Sequence, residues 1–308
     1  MLVSETASEF DITTTYHKFL HDDPEITMPV AAIESLVTLL SLTRPQTSSE
    51  LVTVLTKASA TLKENVRNSV SLSAGCDLFL RFVLRSTQDT ANWEACWKHL
   101  VDNGKLFLER ARKARQEIAK LGSRFIRDGD TILIHSMSRT VTSLLFHALE
   151  RNVRFQVVVT EARPDGKGVA IANILREKGI HVALISDTSV VWAMDKIDKV
   201  FVGAEGVAES GGVINYIGTA QIALMAKGAG KPFYVVAESH KFVRLFPLSS
   251  SDLPGENSSL QFTSDISSSI QAPDIDFTPE NLITSIITDI GILTPAGVSE
   301  ELIKMWYD

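Results

Sequence analysis

Five short runs rich in β-branched residues, in the second half of the chain, constrain the fold more than any other feature of the sequence. Amphipathic or small-residue stretches separate them. Continuous apolar runs that alternate with helices are typical of a parallel sheet covered on both faces. The sequence therefore predicts a doubly wound, mainly parallel Rossmann-like α/β domain whose ligands lie beyond the carboxyl ends of its strands. The runs are Thr131–His135, Phe155–Thr160, His181–Ser186, Lys199–Ala204 and Phe233–Ala237.

The first half of the chain has a helical pattern instead. Apolar residues such as Ile33, Leu36 and Leu40 recur at the spacing that lines one face of a helix. Thr47 and Glu50 have the spacing of a capping box ahead of another apolar stripe. No strand-like run interrupts these patterns, which predicts an N-terminal α-helical domain.

The change of pattern predicts two domains. We expect the α-helical domain over residues 1–115 and the α/β domain over residues 116–308. Within the second domain, residues 249–276 are rich in Ser, Asp, Pro and Gly and predict a loop insertion at the surface.

The C-terminal region carries two further predictions. Thr278 is a natural N-cap and Pro279 suits the first position of a helix, which we expect to end at Gly291. The segment Leu293–Tyr307 ends in large apolar side chains that suit a buried contact. That contact is either between copies of the chain or within one copy.

Composition excludes several classes of protein. A net charge of −7 argues against a non-specific nucleic-acid binder. Only Cys76 and Cys96 are thiols, too few for a disulfide-stapled fold or a structural zinc site. No signal peptide and no apolar run of bilayer-spanning length is visible. We therefore expect a cytoplasmic protein without direct contacts to nucleic acid or membrane.

Standard nucleotide-binding motifs are absent. The fragment Gly228-Ala229-Gly230-Lys231 resembles the end of a P-loop, but Pro232 follows where a hydroxyl residue is needed. Gly166-Lys167-Gly168 lacks the third glycine of a dinucleotide fingerprint. Direct binding of ATP, GTP or NAD in a standard mode is not expected.

The loop after the first predicted strand is a candidate phosphate site. It holds Ser136, Ser138 and Arg139, which offer hydroxyls, a cation and the N–H groups of a helix start. The alternative is structural, with Ser138 as an N-cap and Arg139 paired to a carboxylate.

The loop after the fourth predicted strand is the second candidate. Glu205 could meet a polar ligand or could be solvated. Asn215 precedes Gly218 and Thr219, which open a helix that could hold an anion at its N-terminus. No pattern of carboxylates and histidines argues for a metal.

A basic cluster lies at the end of the predicted α-helical domain. Lys105, Arg112, Lys113 and Arg115 fall within one helical stretch. Such a run is usually a solvated face, and the alternative is a partner-binding surface.

Three long strings resemble the alpha-subunit family of eukaryotic translation initiation factor 2B. They are Gly203–Thr219, Lys231–Leu248 and Leu293–Tyr307. The resemblance extends through the helical half, at Met28–Leu40 and Ser69–Leu84, and its details are similar to those of yeast members.

This resemblance implies a regulatory, non-catalytic subunit of a guanine-nucleotide exchange complex. It implies a homodimer that bridges the complex, with the beta, gamma, delta and epsilon subunits of initiation factor 2B as partners. It also implies that the chain senses the phosphorylated alpha subunit of initiation factor 2. No cofactor is required.

The same resemblance extends to the fold of the sugar-phosphate isomerases, which use a cysteine and an aspartate. The corresponding positions here hold Ser136 and Glu205. A hydroxyl is a far weaker acid than a thiol, and a longer carboxylate is misplaced for the reaction. The resemblance therefore implies no isomerase activity. A sugar-phosphate-binding protein or a residual isomerase is the alternative, with a phosphorylated small molecule as ligand.

Overall fold

The computed structural model describes residues 10–43, 45–66, 69–87, 93–253, 262 and 273–307. The chain divides between Arg112 and Lys113 into two compact units, and one long helix runs through the division. The described part of the chain contains no helix both long and apolar enough to cross a membrane.

The first unit is helical. Its core includes Tyr16, Leu36 and Leu55, all fully buried. Thr47 caps the third helix by accepting the N–H of Glu50 at 3.2 Å. The Glu50 carboxylate accepts the N–H of Gln46, one residue before the cap, so only half of the predicted capping box forms. The helices are α1 (Ile12–Asp22), α2 (Met28–Leu42), α3 (Ser48–Asn65), α4 (Ser69–Ser86) and α5 (Trp93–Gly122), the last of which continues into the second unit.

The second unit is an α/β domain. The strands are β1 (Thr131–Ile134), β2 (Gln156–Thr160), β3 (His181–Ile185), β4 (Lys199–Val202), β5 (Gly206–Val207), β6 (Val213–Tyr216), β7 (Phe233–Val236), β8 (Ile275–Thr278), β9 (Ser285–Thr288) and β10 (Gly291–Leu293). The helices are α6 (Arg139–Glu150), α7 (Lys167–Glu177), α8 (Val190–Ala193), α9 (Thr219–Gly228) and α10 (Gly297–Tyr307).

The main sheet confirms the predicted α/β class. Its strand order is β10-β9-β7-β4-β1-β2-β3, and all neighbours are parallel except the β9–β10 pair. Alternate residues of β1 pack on opposite faces, with Ile132 and Ile134 in one apolar cluster and Leu133 in the other. This alternation explains why the predicted strands are apolar throughout.

The predicted helix from Thr278 to Gly291 is wrong. Thr278 ends β8, Pro279 has an extended backbone, and Gly291 begins β10. Between them lies β9, whose Ile286 and Ile287 are fully buried. Burial of this β-branched pair beside β7 outweighs the helix-start signal of Thr278-Pro279.

A second, three-stranded antiparallel sheet in the order β5-β6-β8 was not predicted. It places Asn215 of β6 opposite Asp276 of β8. Most of the predicted insertion at 249–276 lies outside the described residues. Its described end belongs to β8, and a short 3₁₀ turn covers Ser250–Asp252.

The C-terminal helix α10 packs within its own chain. Val298 and Leu302 are buried in the same cluster as residues of β4 and β7, and Met305 is packed against that cluster. The described part of this segment therefore matches the intramolecular alternative for its apolar residues.

Candidate functional site

The carboxyl end of β1 leads into a buried imidazole. His135 Nε2 lies 2.8 Å from the carbonyl oxygen of Ile217, and Nδ1 lies 2.7 Å from Thr160 Oγ1. Because a carbonyl only accepts, Nε2 carries the proton and Nδ1 accepts from the Thr160 hydroxyl. Burial lowers the pKa of His135, so the imidazole is neutral near pH 7 and ties β1, β2 and the start of α9 together.

The predicted phosphate loop after β1 is built for close packing. Ser136 is buried with φ of 57°, a left-handed conformation rare for a residue with a side chain. Ser138 caps α6 by accepting the N–H of Val141 at 3.4 Å. The N-cap role, given above as the alternative to phosphate binding, is therefore present. Arg139 is the first residue of α6 and is half-buried.

The loops after β1 and β4 meet at one glycine. A Cβ atom on Gly203 would lie 2.4 Å from Ser138 Oγ, closer than side chains approach. The structure therefore brings the Ser136–Arg139 and Gly203–Glu205 loops together, as expected for neighbouring parallel strands.

Glu205 lies within electrostatic reach of Tyr216, and a lysine stands over the ring of that tyrosine. The Glu205 side chain is half-buried. The pKa of Tyr216 is raised, mainly because the tyrosine itself is buried and then because of the negative charge of Glu205. The Lys167 ammonium stands 4.1 Å from the centre of the Tyr216 ring and 3.0 Å from Asp165. Burial by itself lowers the pKa of Lys167, but Asp165 and Tyr216 outweigh burial and raise it, so Lys167 is a firmly held cation at this edge.

The predicted anion site at the start of α9 is already filled by the chain itself. Asp276 Oδ2 accepts the N–H groups of Gly218 at 2.7 Å and of Ala220 at 3.1 Å. Burial raises the pKa of Asp276 to about 7, although these N–H groups act in the opposite direction. A carboxylate in this position leaves no free helix terminus for a phosphate.

The two remaining predicted residues of this loop bond to each other. Asn215 Nδ2 donates to Thr219 Oγ1 at 3.0 Å, and the Thr219 hydroxyl donates to the carbonyl of Tyr216 at 2.6 Å. Both side chains are buried. The structure therefore assigns Asn215, Gly218 and Thr219 to the support of the turn before α9, because the Asn215 side-chain N–H, the Gly218 N–H and the Thr219 hydroxyl all donate within the chain.

A small cleft lies among these loops. It encloses about 240 Å³ even when the solvent at its mouth is counted, which is below the ~300–1,000 Å³ of typical ligand pockets. Of the predicted site residues, only Ser136 lines it. The lining residues are Ser136, Ala162, Arg163, Pro164, Asp165, Tyr216, Ile217 and Asp274.

Sequence reasoning missed a buried group of ionised residues at the end of β7. Glu238 is 1% exposed, accepts the Thr140 hydroxyl at 2.8 Å and lies 3.3 Å from Lys241 Nζ. Burial alone raises its pKa, but the charges of Lys241 and His240 hold the pKa well below the ordinary value. The signal was the charged run after the apolar strand Phe233–Val236, at the same sheet edge as the candidate loops.

The basic cluster separates into exposed and buried members. Lys105 and Lys113 are exposed, and Arg112 is half-exposed in a two-pronged ion pair with Glu34 at 2.8 and 3.0 Å. Arg115 is not part of this exposed face, because its side chain is only 15% exposed and its Nε lies 3.9 Å from Glu238 Oε1. Three of the four residues predicted to bind a partner, Lys105, Arg112 and Lys113, therefore have exposed side chains. Among the described residues, no group of His, Cys, Asp and Glu could hold a metal ion.

Comparisons of sequence match this chain to initiation-factor proteins over nearly its whole length. The model of the Initiation factor 2 subunit family matches residues 21–295. The eIF2B subunit alpha of Dictyostelium discoideum is 39% identical over 97% of this chain and 98% of its own length. The Caenorhabditis elegans subunit alpha is 33% identical over 96% and 98%. A ribose 1,5-bisphosphate isomerase of Archaeoglobus fulgidus is 30% identical over 80% and 83%.

Solved structures share the fold. A Pyrococcus horikoshii translation initiation factor eIF-2B has a TM-score of 0.68 at 26% identity, over 92% of this chain and 97% of that chain. A chain of the tetrameric eIF2B-beta2-delta2 complex of C. thermophilum has a TM-score of 0.79 at 18% identity, over 96% of each. The resemblance to eIF2B alpha subunits is confirmed by the sequence matches, and this chain belongs to the Initiation factor 2 subunit family.

Proposed function

We propose that this protein is a regulatory, non-catalytic subunit of the translation initiation factor 2B guanine-nucleotide exchange complex in the cytoplasm. It forms a homodimer that bridges the beta, gamma, delta and epsilon subunits, and it senses the phosphorylated alpha subunit of initiation factor 2. The observation that carries the proposal is the near full-length similarity to eIF2B alpha subunits. Phosphorylation then acts through a difference in affinity between binding modes.

The described site supports a non-catalytic role. The loop after β1 offers the hydroxyl of Ser136 and no thiol, and the carboxylate after β4 belongs to Glu205. The start of α9 is closed by Asp276. Asn215, Thr219 and Asp276 all bond to the turn before α9, which favours a structural role for these side chains.

The test reconstitutes the exchange complex with and without this chain. For each assembly, the affinity of the complex for initiation factor 2 is measured, once with the alpha subunit of that factor phosphorylated and once with it unphosphorylated. We expect tighter binding of the phosphorylated form only when this chain is present. If both assemblies bind the phosphorylated and unphosphorylated factor with equal affinity, the sensing role is wrong. If the chain has the mass of a monomer in solution at all concentrations, the homodimer is wrong.

A second candidate function is the binding of a sugar phosphate as a regulatory or structural ligand. It is supported by the similarity to an archaeal ribose 1,5-bisphosphate isomerase and by the cleft beside Ser136. Arg163 lines the cleft, and two further cations lie on neighbouring segments, Arg139 at the start of α6 and Lys167 beside Tyr216. The small cleft would have to widen to admit the ligand.

This second candidate is tested by thermal unfolding with millimolar ribose 5-phosphate, on the parent and on Arg139→Ala. A rise in melting temperature for the parent, reduced in the variant, is expected. No rise for the parent would rule it out.

Residual isomerase chemistry has a separate test. Activity that appears only in the Ser136→Cys, Glu205→Asp double variant would identify a lost enzyme.

A further inference from the structure

The carboxylate of Glu238 is linked directly to the start of α6 and, through Lys241, to the loop after β4. Its Oε1 accepts the hydroxyl of Thr140, the second residue of α6, at 2.8 Å. Its Oε2 lies 3.3 Å from Lys241 Nζ, and the same ammonium donates to the carbonyl of Ala204 at 2.8 Å. Ala204 directly precedes Glu205, so one buried anion connects the loops after β1, β4 and β7.

A third segment reaches the same carboxylate. Arg115, in the part of α5 that belongs to the α/β unit, places Nε 3.9 Å from Glu238 Oε1. The side chains of Arg115 and Lys241 are only 15% and 12% exposed. Their two charges face Glu238 in a region with little water, where removing one partner of an ion pair leaves a buried charge and is costly.

The turn that carries Lys241 is fixed independently. Asp289, just after β9, accepts the backbone N–H of Ser239 at 2.7 Å and its hydroxyl at 2.8 Å. Asp289 therefore anchors the turn that joins Glu238 to Lys241 at a point separate from the loops that these two residues contact.

We propose that Glu238 is a positioning residue that sets the distance between the loop bearing Ser136 and the loop bearing Glu205. It contacts no ligand. It acts through Thr140, in the helix that follows the first loop, and through Lys241 on the second loop, and so fixes how closely the two loops approach each other. The proposal rests on the second candidate function for what the cleft binds, but its test needs no ligand, so a failure of ligand binding leaves it intact.

The test uses tyrosine as a reporter in the full-length protein. The chain has four tyrosines, which 3-fluorotyrosine labelling makes visible as separate fluorine resonances, assigned by Tyr216→Phe and Tyr234→Phe. Tyr216 lies within electrostatic reach of both Glu205, on the loop after β4, and Lys241, on the loop after β7, so its resonance reports the positions of these two loops. Tyr234 lies within reach of Asp130 at the other end of the strands.

Two variants probe Glu238, and one matched variant controls for lost stability. Glu238→Gln removes the charge, and Thr140→Val removes one hydrogen bond while changing no charge. Asp130→Asn breaks another buried ion pair, with Lys199 at the amino end of β4. We expect both probes to shift the Tyr216 resonance by more than its linewidth and to leave Tyr234 in place, whereas Asp130→Asn shifts Tyr234 alone.

Thr140→Val is decisive, because a shift of Tyr216 in that variant reports movement without a change of field. It also serves if Glu238→Gln does not fold. An unmoved Tyr216 resonance in Thr140→Val, together with lowered stability, would assign Glu238 a purely structural role and overturn the proposal. Glu238→Asp, which keeps the charge, should return the Tyr216 resonance part of the way to its parental position.

Discussion

At the scale of single residues, the contact between the two candidate loops depends on the absence of a side chain. Because Gly203 has no side chain, its backbone can pack directly against Ser138, the N-cap residue of α6. The Ser138 hydroxyl accepts the N–H of Val141 and at the same time is in close contact with the Gly203 backbone.

We predict that Gly203→Ala lowers the free energy of unfolding by about 1–3 kcal/mol, the usual cost of forcing a methyl group into a packed position. Urea unfolding measures it. The added Cβ pushes on Ser138, so the cost should shrink in a Ser138→Gly background. Gly228→Ala is the control, since a Cβ there meets nothing within 4 Å. Equal costs with Ser138 present and absent would contradict this account.

At the scale of elements, the start of α9 illustrates how a helix terminus can be saturated by its own chain. The β6–β8 pairing delivers Asp276 to the N–H groups of Gly218 and Ala220. The sequence contained both the helix start and the carboxylate. Their separation by more than fifty residues concealed the contact, because it depends on strand pairing rather than on local spacing.

The same contact predicts a pH dependence. Burial raises the pKa of Asp276 from 3.8 to about 7, so between these values the folded state binds more protons than the unfolded state. The free energy of unfolding should therefore fall as pH rises through this window, by on the order of 4 kcal/mol at most, at ~1.4 kcal/mol per pKa unit. Above about pH 7 the contribution levels off.

Asp276→Asn tests this, because the amide cannot ionise but still offers an oxygen to the helix start. Denaturant unfolding from pH 4 to pH 8 should show the variant gaining stability relative to the parent as pH rises. Asp195→Asn, at an exposed aspartate, should follow the parent. Parallel pH profiles for the parent and Asp276→Asn would contradict the assignment.

At the scale of the whole molecule, the basic residues predicted to bind a partner differ in exposure, and only exposed ones can meet a partner. Lys105 and Lys113 are exposed on α5, whereas the Arg115 side chain is mostly buried near Glu238. A phosphorylated partner would be attracted by such cations, and the attraction would weaken with salt.

We predict that Lys105→Glu with Lys113→Glu weakens the binding of phosphorylated initiation factor 2 by the reconstituted complex at least tenfold. Binding of the unphosphorylated factor should change little. The control makes the same change of charge at the exposed Lys57 and Lys227. An equal loss in both double variants would indicate a general effect of net charge and would remove Lys105 and Lys113 from the proposed surface.

Much of the architecture could be predicted, because it is written in local periodicity. The five predicted strands form, the helical half is helical, and Ser138 caps α6. The prediction of a helix after Thr278 was wrong, because pairing of β9 with β7 outweighed a local start signal. Of the candidate ligand residues, Ser136 lines the cleft, while Asn215 and Thr219 bond to each other.

The sequence by itself determined the α/β class, the helical first half and the family, since these depend on spacing and on long matching strings. Only the tertiary structure decided which polar atoms are already bonded. Asp276 closes the start of α9, and Glu238 gathers Thr140, Lys241 and Arg115 around one carboxylate. The physical reason is that hydrogen bonds and ion pairs are made at about 3–4 Å, between residues whose proximity is set by strand order rather than by distance along the chain.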